Sequence, residues 1–469
     1  MLALTAVAVA ALSACGGGGD SDPVRGGLVG VDDGVTLTRD RIDAAATAAG
    51  TAALVGPATC DVTTKRIRYQ TRDPRGNFAT ASTAVMIPTG SNQAACGGSR
   101  PVVLYAHGTT TLKSFNMANL SANGEGALVA ATYAAQGFIV VAPNYLGYDT
   151  SSLPYHPYLN AENSAIDMID GLRAARAYLN STSAVRPANR LFVAGYSQGG
   201  HVAMAVHKVL ERDHAGEFSL TASVPMSGPY NLVGFGDIVT SPGGQVNGGA
   251  TIFVPLLLTS YQRSYGDIYT NPADAYQAPF AATAETLFPT DTPVDTLKAQ
   301  NRLPNPDPGN TQLFGTGGLL TDAFRASYAT SNYRAALGRN TLVRAPGLPA
   351  DLDWTPTAPL ALCGGADDPV VFWSVNTPVA QAYLNSRLPA GAPPVAAWNL
   401  ESRASLPGAT GTPAGAASDA LFAGWQQAKA GFPTPQAVQA AYHGLAAPFC
   451  NALARGYFQQ ILTALANQP

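Results

Sequence analysis

Arg190-Leu191-Phe192-Val193-Ala194-Gly195-Tyr196-Ser197-Gln198-Gly199-Gly200-His201 is the stretch whose reading decides the fold. Its first five residues form a short apolar, β-compatible run. The segment that follows, from His201 through Val202, Ala203, Met204, Val206 and Leu210, carries apolar residues at helical spacing. A strand therefore turns sharply into a helix at Ser197. Glycines two residues to either side let the backbone turn tightly enough to expose the serine Oγ. A larger side chain there would collide with the neighbouring strand or helix. In a chain with 48 glycines a bare G-x-S-x-G recurs by chance, so the flanking strand and helix give the stretch its weight.

Working outward, Pro101-Val102-Val103-Leu104-Tyr105-Ala106 and Phe138-Ile139-Val140-Val141-Ala142-Pro143 are fully apolar strands. Helical spacing is expected over 127–136 between them and over 165–179 before the strand of Ser197. Residues 66–71 and 79–87 flank the turn Asp73-Pro74-Arg75-Gly76-Asn77 and read as an antiparallel hairpin. After the Ser197 helix, residues 220–226 form a strand ending in Ser227-Gly228-Pro229. Buried strands alternating with helices predict an α/β fold, a mostly parallel sheet covered by helices on both faces. The alternation stops over 230–356, which is rich in proline and aromatics and reads as a mainly helical cap. It resumes with a strand at 359–363, a helix at 378–388, a strand at 394–400 and a terminal helical region. The core is thus expected in two pieces, 36–229 and 357–469.

Charged residues make up only 12% of the chain and the formal net charge is −3, about half the usual charged share. No basic patch or charge run supports nucleic-acid binding. Residues 2–12 are a small-apolar run too short to span a bilayer, ending at Leu12-Ser13-Ala14-Cys15. This resembles a bacterial lipoprotein signal over 1–15, with Cys15 lipidated and 16–35 a flexible tether. It implies an exported protein of the cell envelope, an outer-membrane lipoprotein or a secreted protein, held to the membrane by its lipid anchor. No Lys or Arg precedes the run, which leaves the true start open. Four further cysteines, Cys60, Cys96, Cys363 and Cys450, predict two disulfides with three possible connectivities. None sits at a C-x-x-C spacing, so metal binding by them is not expected.

A serine hydroxyl needs a base to take its proton as it attacks. The chain has six histidines, and in this strand-turn-helix architecture the order is nucleophile, acid, histidine. His201, His207 and His214 lie on or just past the helix that Ser197 opens, pointing away to pack or to face solvent. His443, in the loop-like stretch Ala440-Ala441-Tyr442-His443-Gly444-Leu445, is the expected base. Negative charge on the substrate oxygen needs fixed N–H donors. The backbone N–H groups of Gln198, after the nucleophile, and of Thr109, in His107-Gly108-Thr109-Thr110, fill that role. His107 itself reads as a structural loop residue, and Asn144-Tyr145-Leu146-Gly147-Tyr148 as a pocket wall or a tight turn.

Tyr105-Ala106-His107-Gly108-Thr109, His156-Pro157-Tyr158-Leu159, Gly195-Tyr196-Ser197-Gln198-Gly199-Gly200 and His443-Gly444 together resemble the α/β-hydrolase superfamily and, within it, the secretory lipase family, over roughly residues 60–460. The resemblance implies an α/β-hydrolase fold with the cap between strands 6 and 7. It also implies cofactor-free hydrolysis of carboxylic esters, often with long acyl chains, through an acyl-enzyme on Ser197. The substrate would be a small-molecule, lipid or polyester ester. Two adjacent carboxylates, Asp367 and Asp368, follow the strand that ends at Cys363. Asp368 is favoured as the acid because Asp368-Pro369-Val370-Val371 looks like the acid loop of many α/β-hydrolases. A Cys363–Cys450 bridge would then tie the acid loop to the histidine, leaving Cys60 to pair with Cys96.

Within the cap, Val254-Pro255-Leu256-Leu257-Leu258 and the neighbouring aromatics either line an apolar pocket over Ser197 or form the cap's own core. A serine peptidase or amidase on the same fold is the nearest alternative. A lipid-anchored, non-catalytic binding protein is a further one, against which the complete set of nucleophile, acid and base argues. Acyl-chain preference and oligomeric state are not legible in the chain.

Overall fold

Among the described residues nine strands pair into one sheet, whose central strands are apolar because they bury side chains on both faces. A computed structural model of the chain describes residues 24–344, 354–409 and 411–467. The expected signal segment with Cys15, the first part of the tether and residues 345–353 of the expected cap lie outside the described residues.

The strands are β1 (Leu28–Leu37), β2 (Asp61–Arg72), β3 (Phe78–Thr89), β4 (Gly98–Ala106), β5 (Ile139–Pro143), β6 (Val185–Tyr196), β7 (Leu220–Met226), β8 (Ala361–Gly364) and β9 (Ala396–Asn399). Their spatial order is β1-β2-β3-β5-β4-β6-β7-β8-β9. The pairs β1–β2, β2–β3 and β3–β5 are antiparallel and the remainder parallel. Alternate residues of the central strands enter two different cores. Val102, Leu104, Leu191 and Val193 face helices α1 (Ala161–Thr182) and α2 (Gln198–Asp213). Val103, Tyr105, Phe192 and Ala194 face the opposite layer, which includes α3 (Pro435–Ala466). Phe192 is fully buried with its ring 4.5 Å from that of Phe458, a burial that contributes roughly 1.5–3 kcal/mol.

The expected tether over 16–35 is partly corrected, since β1 begins at Leu28 and pairs with β2. Asp32 and Asp33 stand opposite Arg66 and Lys65 in that register, and both form ion pairs there. Such exposed pairs contribute little individually. The backbone ladder and Val31, which packs on the core, hold the strand, and Asp-Asp-Gly at 32–34 hid it from a propensity reading.

Between β7 and β8 the described chain is helical, with α4 (Leu232–Thr240), α5 (Ala250–Tyr265), α6 (Asn332–Asn340) and several shorter helices. These helices have an apolar core of their own, distinct from the two that sandwich the sheet. Counted from β1, the helical run follows the seventh strand rather than the sixth. No described helix is long and apolar enough to cross a membrane.

Two disulfides join Cys60 to Cys96 and Cys363 to Cys450. The second links β8 to α3 across 87 residues of sequence, a long loop whose closure restricts the unfolded chain. Replacing both Cys363 and Cys450 by alanine is expected to remove about 2–5 kcal/mol of stability, read as a lower urea midpoint. An unchanged midpoint would show that the bridge contributes nothing to the fold.

Candidate active site

The turn from β6 into α2 brings three strands within touching distance. A Cβ on Gly195 would lie 2.7 Å from the Ala106 carbonyl oxygen, one on Gly199 would lie 2.8 Å from that of His107, and one on Gly200 would lie 2.9 Å from Gly228 Cα. Real side chains do not tolerate such approaches, so glycine is required at each position. The same closeness holds Ser197 at φ 61° and ψ −121°, a backbone geometry non-glycine residues adopt only when their surroundings impose it. Its N–H donates to Met226 O (2.9 Å), fixing the turn against β7.

Asp368 leaves the end of β8 and is buried, whereas Asp367 is exposed. Asp368 Oδ1 accepts from the N–H groups of Val370 (2.9 Å) and Val371 (3.1 Å). Its Oδ2 lies 2.6 Å from His443 Nδ1. The structure thus places Asp368, and not its neighbour, against the histidine. His443 Nε2 is buried and has no partner among the described residues; its hydrogen bond to Ser197 Oγ is not closed. Catalytic hydrogen bonds are often long before substrate binds.

The loop expected around His443 is corrected, because His443 lies inside α3. Gly444 and Pro448 together look like a helix break. The helix nevertheless runs through Pro448, at the cost of the backbone hydrogen bond that its missing N–H would have given to the carbonyl of Gly444, four residues earlier. Tyr196 OH donates to His443 O (2.5 Å) and so ties that helix to the serine turn.

Gln198 and Thr109 flank the serine turn, and among the described residues neither backbone N–H is spent on another protein group. The Gln198 N–H sits at the N-terminus of α2, where the helix dipole favours negative charge. His156 Nδ1 donates to Leu146 O (2.8 Å), which leaves Nε2 to accept from the Gln198 side-chain amide (2.6 Å). Burial lowers His156 to about 3, keeping it in that neutral form. Thr109 Oγ1 shares a 2.8 Å hydrogen bond with Tyr158 OH. His156 and Tyr158 were visible in the sequence as a motif without a role; their role arises only when the segment after β5 folds over the serine turn. Asn144 to Tyr148 forms a tight turn and not a pocket wall: Tyr145, at φ 65°, donates its OH to His107 O (2.9 Å). His107, His201 and His207 are buried.

An apolar cavity opens beside Ser197 and Gln198 and runs between the helices of the insertion, with about 90 Å³ of free volume. Leu232, Phe235, Val254, Leu257, Leu313 and Phe324 line it. The 254–258 run serves both expected roles. Val254 and Leu257, three residues apart, line the cavity, and Val254 together with Leu256 and Leu258 belongs to the insertion's own core, against which Leu257 also packs.

Among solved structures, the chain is similar to the ligand-bound rice cell wall degrading esterase LipA from Xanthomonas oryzae. Identity is 28%, the match covers 93% of this chain and 99% of that one, and the TM-score is 0.73. This chain is an α/β-hydrolase. The hydrolase shares its fold alone with a Legionella pneumophila chain (20% identity, 92% and 98% coverage, TM-score 0.67) and with Candida antarctica lipase A in its closed state (12% identity, 78% and 75% coverage, TM-score 0.53). No family model and no curated protein sequence matches the hydrolase.

Buried titratable groups make the stability of the hydrolase pH-dependent. Burial lowers His107, His156 and His201 to about 4, 3 and 4, and raises Glu125 and Asp167 to about 7 each. Histidines with depressed folded values lose stability as pH falls below their unfolded value. Carboxyls with raised folded values lose it as pH rises through the carboxylate range. Between about pH 6.5 and 4.5 the unfolded chain binds three more protons on the histidines and two fewer on the carboxyls, a net of one. Stability is therefore expected to fall by about 1.4 kcal/mol per pH unit on acidification across that window, as measured by urea unfolding at fixed pH steps. A flat or rising profile would contradict the balance.

Proposed function

We propose that this hydrolase is an extracytoplasmic serine esterase that cleaves carboxylic esters with an apolar acyl group. The observation that carries the reading is the Asp368–His443 hydrogen bond beside a serine held in a strained strand-to-helix turn at the mouth of an apolar cavity. In this reading Ser197 Oγ attacks the ester carbonyl and His443 Nε2 takes its proton, while Asp368 holds Nδ1–H and stabilises the imidazolium. The carbonyl oxygen becomes an oxyanion held by the N–H groups of Gln198 and Thr109. As the intermediate collapses, His443 returns the proton to the departing alkoxide and the alcohol leaves. Water, deprotonated by His443, then attacks the acyl-enzyme, and the carboxylic acid leaves with Ser197 restored.

The helical insertion acts as the cap that forms the acyl site. Among the described residues no carboxylate lines the cavity, which favours an ester with an uncharged acyl chain over a peptide whose amine would need an acidic partner. Export is supported by the two disulfides. Lipidation at Cys15 and anchorage in the outer membrane rest on the sequence Leu12-Ser13-Ala14-Cys15.

Hydrolysis of a p-nitrophenyl ester series is expected in the intact protein, with loss of at least about 10³-fold in kcat for Ser197→Ala. Asp368→Asn should cost about 10²–10⁴-fold and Asp367→Asn little. Val254→Phe should move the optimum to shorter acyl chains. No turnover, or equal turnover by Ser197→Ala, would overturn the reading. Mass spectrometry of the mature protein is expected to show a diacylglyceryl group on Cys15, and an unmodified N-terminus beyond Cys15 would exclude the anchor.

A further inference from the structure

The loop that carries Thr109 has no secondary structure of its own, yet an oxyanion donor acts only if its N–H direction is fixed before the reaction. That direction depends on the two torsions of Gly108, since the peptide planes on either side are rigid. Both planes are held. On the far side, His107 Nδ1 lies 2.7 Å from Gly108 O, the oxygen of the same peptide unit as the Thr109 N–H. On the near side, Glu125 reaches in from the first turn of the helix Gly124–Thr132, and both its carboxylate oxygens accept from Gly108 N–H, at 3.0 and 3.1 Å. Tyr105 OH, from the end of β4, donates to Glu125 Oε1 (3.0 Å) and steers the carboxylate. Asn123 caps the helix by accepting from Gly126 N–H (2.9 Å), so the base of the Glu125 side chain is fixed as well.

The geometry points to Glu125 as a positioning residue of the proposed ester-hydrolysis site: its carboxyl group pins the Gly108 amide and so orients the Thr109 N–H for the oxyanion. This rests on the esterase reading of the site. A half-buried acidic side chain carries a desolvation cost, and nothing in the fold of the sheet requires one there. Charged and titratable groups face it from four elements. Tyr105 on β4, Tyr145 after β5 and Tyr196 on β6 are held neutral by burial. His443 on α3 is the group that becomes cationic during the reaction, and it draws Glu125 toward the ionised form. Burial pushes the carboxyl up to about 7, against the pull of the Gly108 N–H, the Tyr105 hydroxyl and His443.

The experiment compares wild type, Glu125→Ala and Glu125→Gln on a p-nitrophenyl ester, with active molecules counted by phosphonate titration of Ser197. For Glu125→Ala, kcat per titrated site is expected to fall about 10–100-fold with KM within about threefold, because the donor is used in the transition state rather than in binding. The rate of phosphonylation should fall in parallel. Glu125→Gln keeps a carbonyl acceptor for Gly108 N–H, and its kcat per titrated site is expected to return to within about tenfold of wild type. A purely structural role would lower the melting temperature and the titrated fraction while leaving kcat per titrated site unchanged. If Glu125→Ala does not fold, Glu125→Leu, which fills the space without an acceptor, takes its place. Wild-type kcat per site in the variant that lacks an acceptor would overturn the positioning role and leave the esterase reading intact. Absence of turnover and of Ser197 labelling in wild type would remove both.

Discussion

Close backbone approach at the β6–α2 turn is the constraint on which the rest of the molecule depends. Ser197 stands at φ 61° because β6, β4 and β7 press on the turn from both sides, and Gly195, Gly199 and Gly200 leave no Cβ to push them apart. The approach lets Ser197 N–H reach Met226 O and leaves the Gln198 amide at the helix end. Strain of this kind persists only where the surroundings over-determine it. The fully buried central strands, with a core on each face, supply that rigidity.

Around the turn, Asp368, His443, Thr109 and Gln198 each make a contact with a distant part of the chain. Asp368 is set by the amides of its own loop and faces a histidine 75 positions away. His443 is carried on a helix bonded to β8 through Cys363–Cys450 and to β6 through Tyr196. Thr109 is braced by Tyr158, and Gln198 by His156. Enzyme sites gain most from donors that need not reorganise during the reaction. The supporting shell here consists of buried rings, His156 and Tyr158 among them, and of the carboxyls of Asp368 and Glu125.

The helical insertion reconciles two demands on one apolar run. A helix passing between a core and a cavity presents residues to both at once, so Val254 and Leu257 line the cavity while Leu256 and Leu258, with Val254, stabilise the layer around it. Removing carbon from the cavity face alters the shape of the cavity, whereas removing it from the other face loosens the insertion.

The sequence by itself determined the α/β alternation and the serine turn, because each is written in local patterns: two-faced apolar runs, helical spacing and glycines at fixed offsets. With the chain order that the resemblance to α/β-hydrolases implies, it also narrowed the proposed base among six histidines to His443. Tertiary structure alone decided which of Asp367 and Asp368 meets that histidine, since adjacent residues point to different sides and only the packed loop buries one of them. The same holds for His443 lying in a helix through Pro448, for residues 28–37 forming an edge strand, and for Glu125 reaching Gly108. In each case the stabilising partner is far away in the chain, so no local propensity records it.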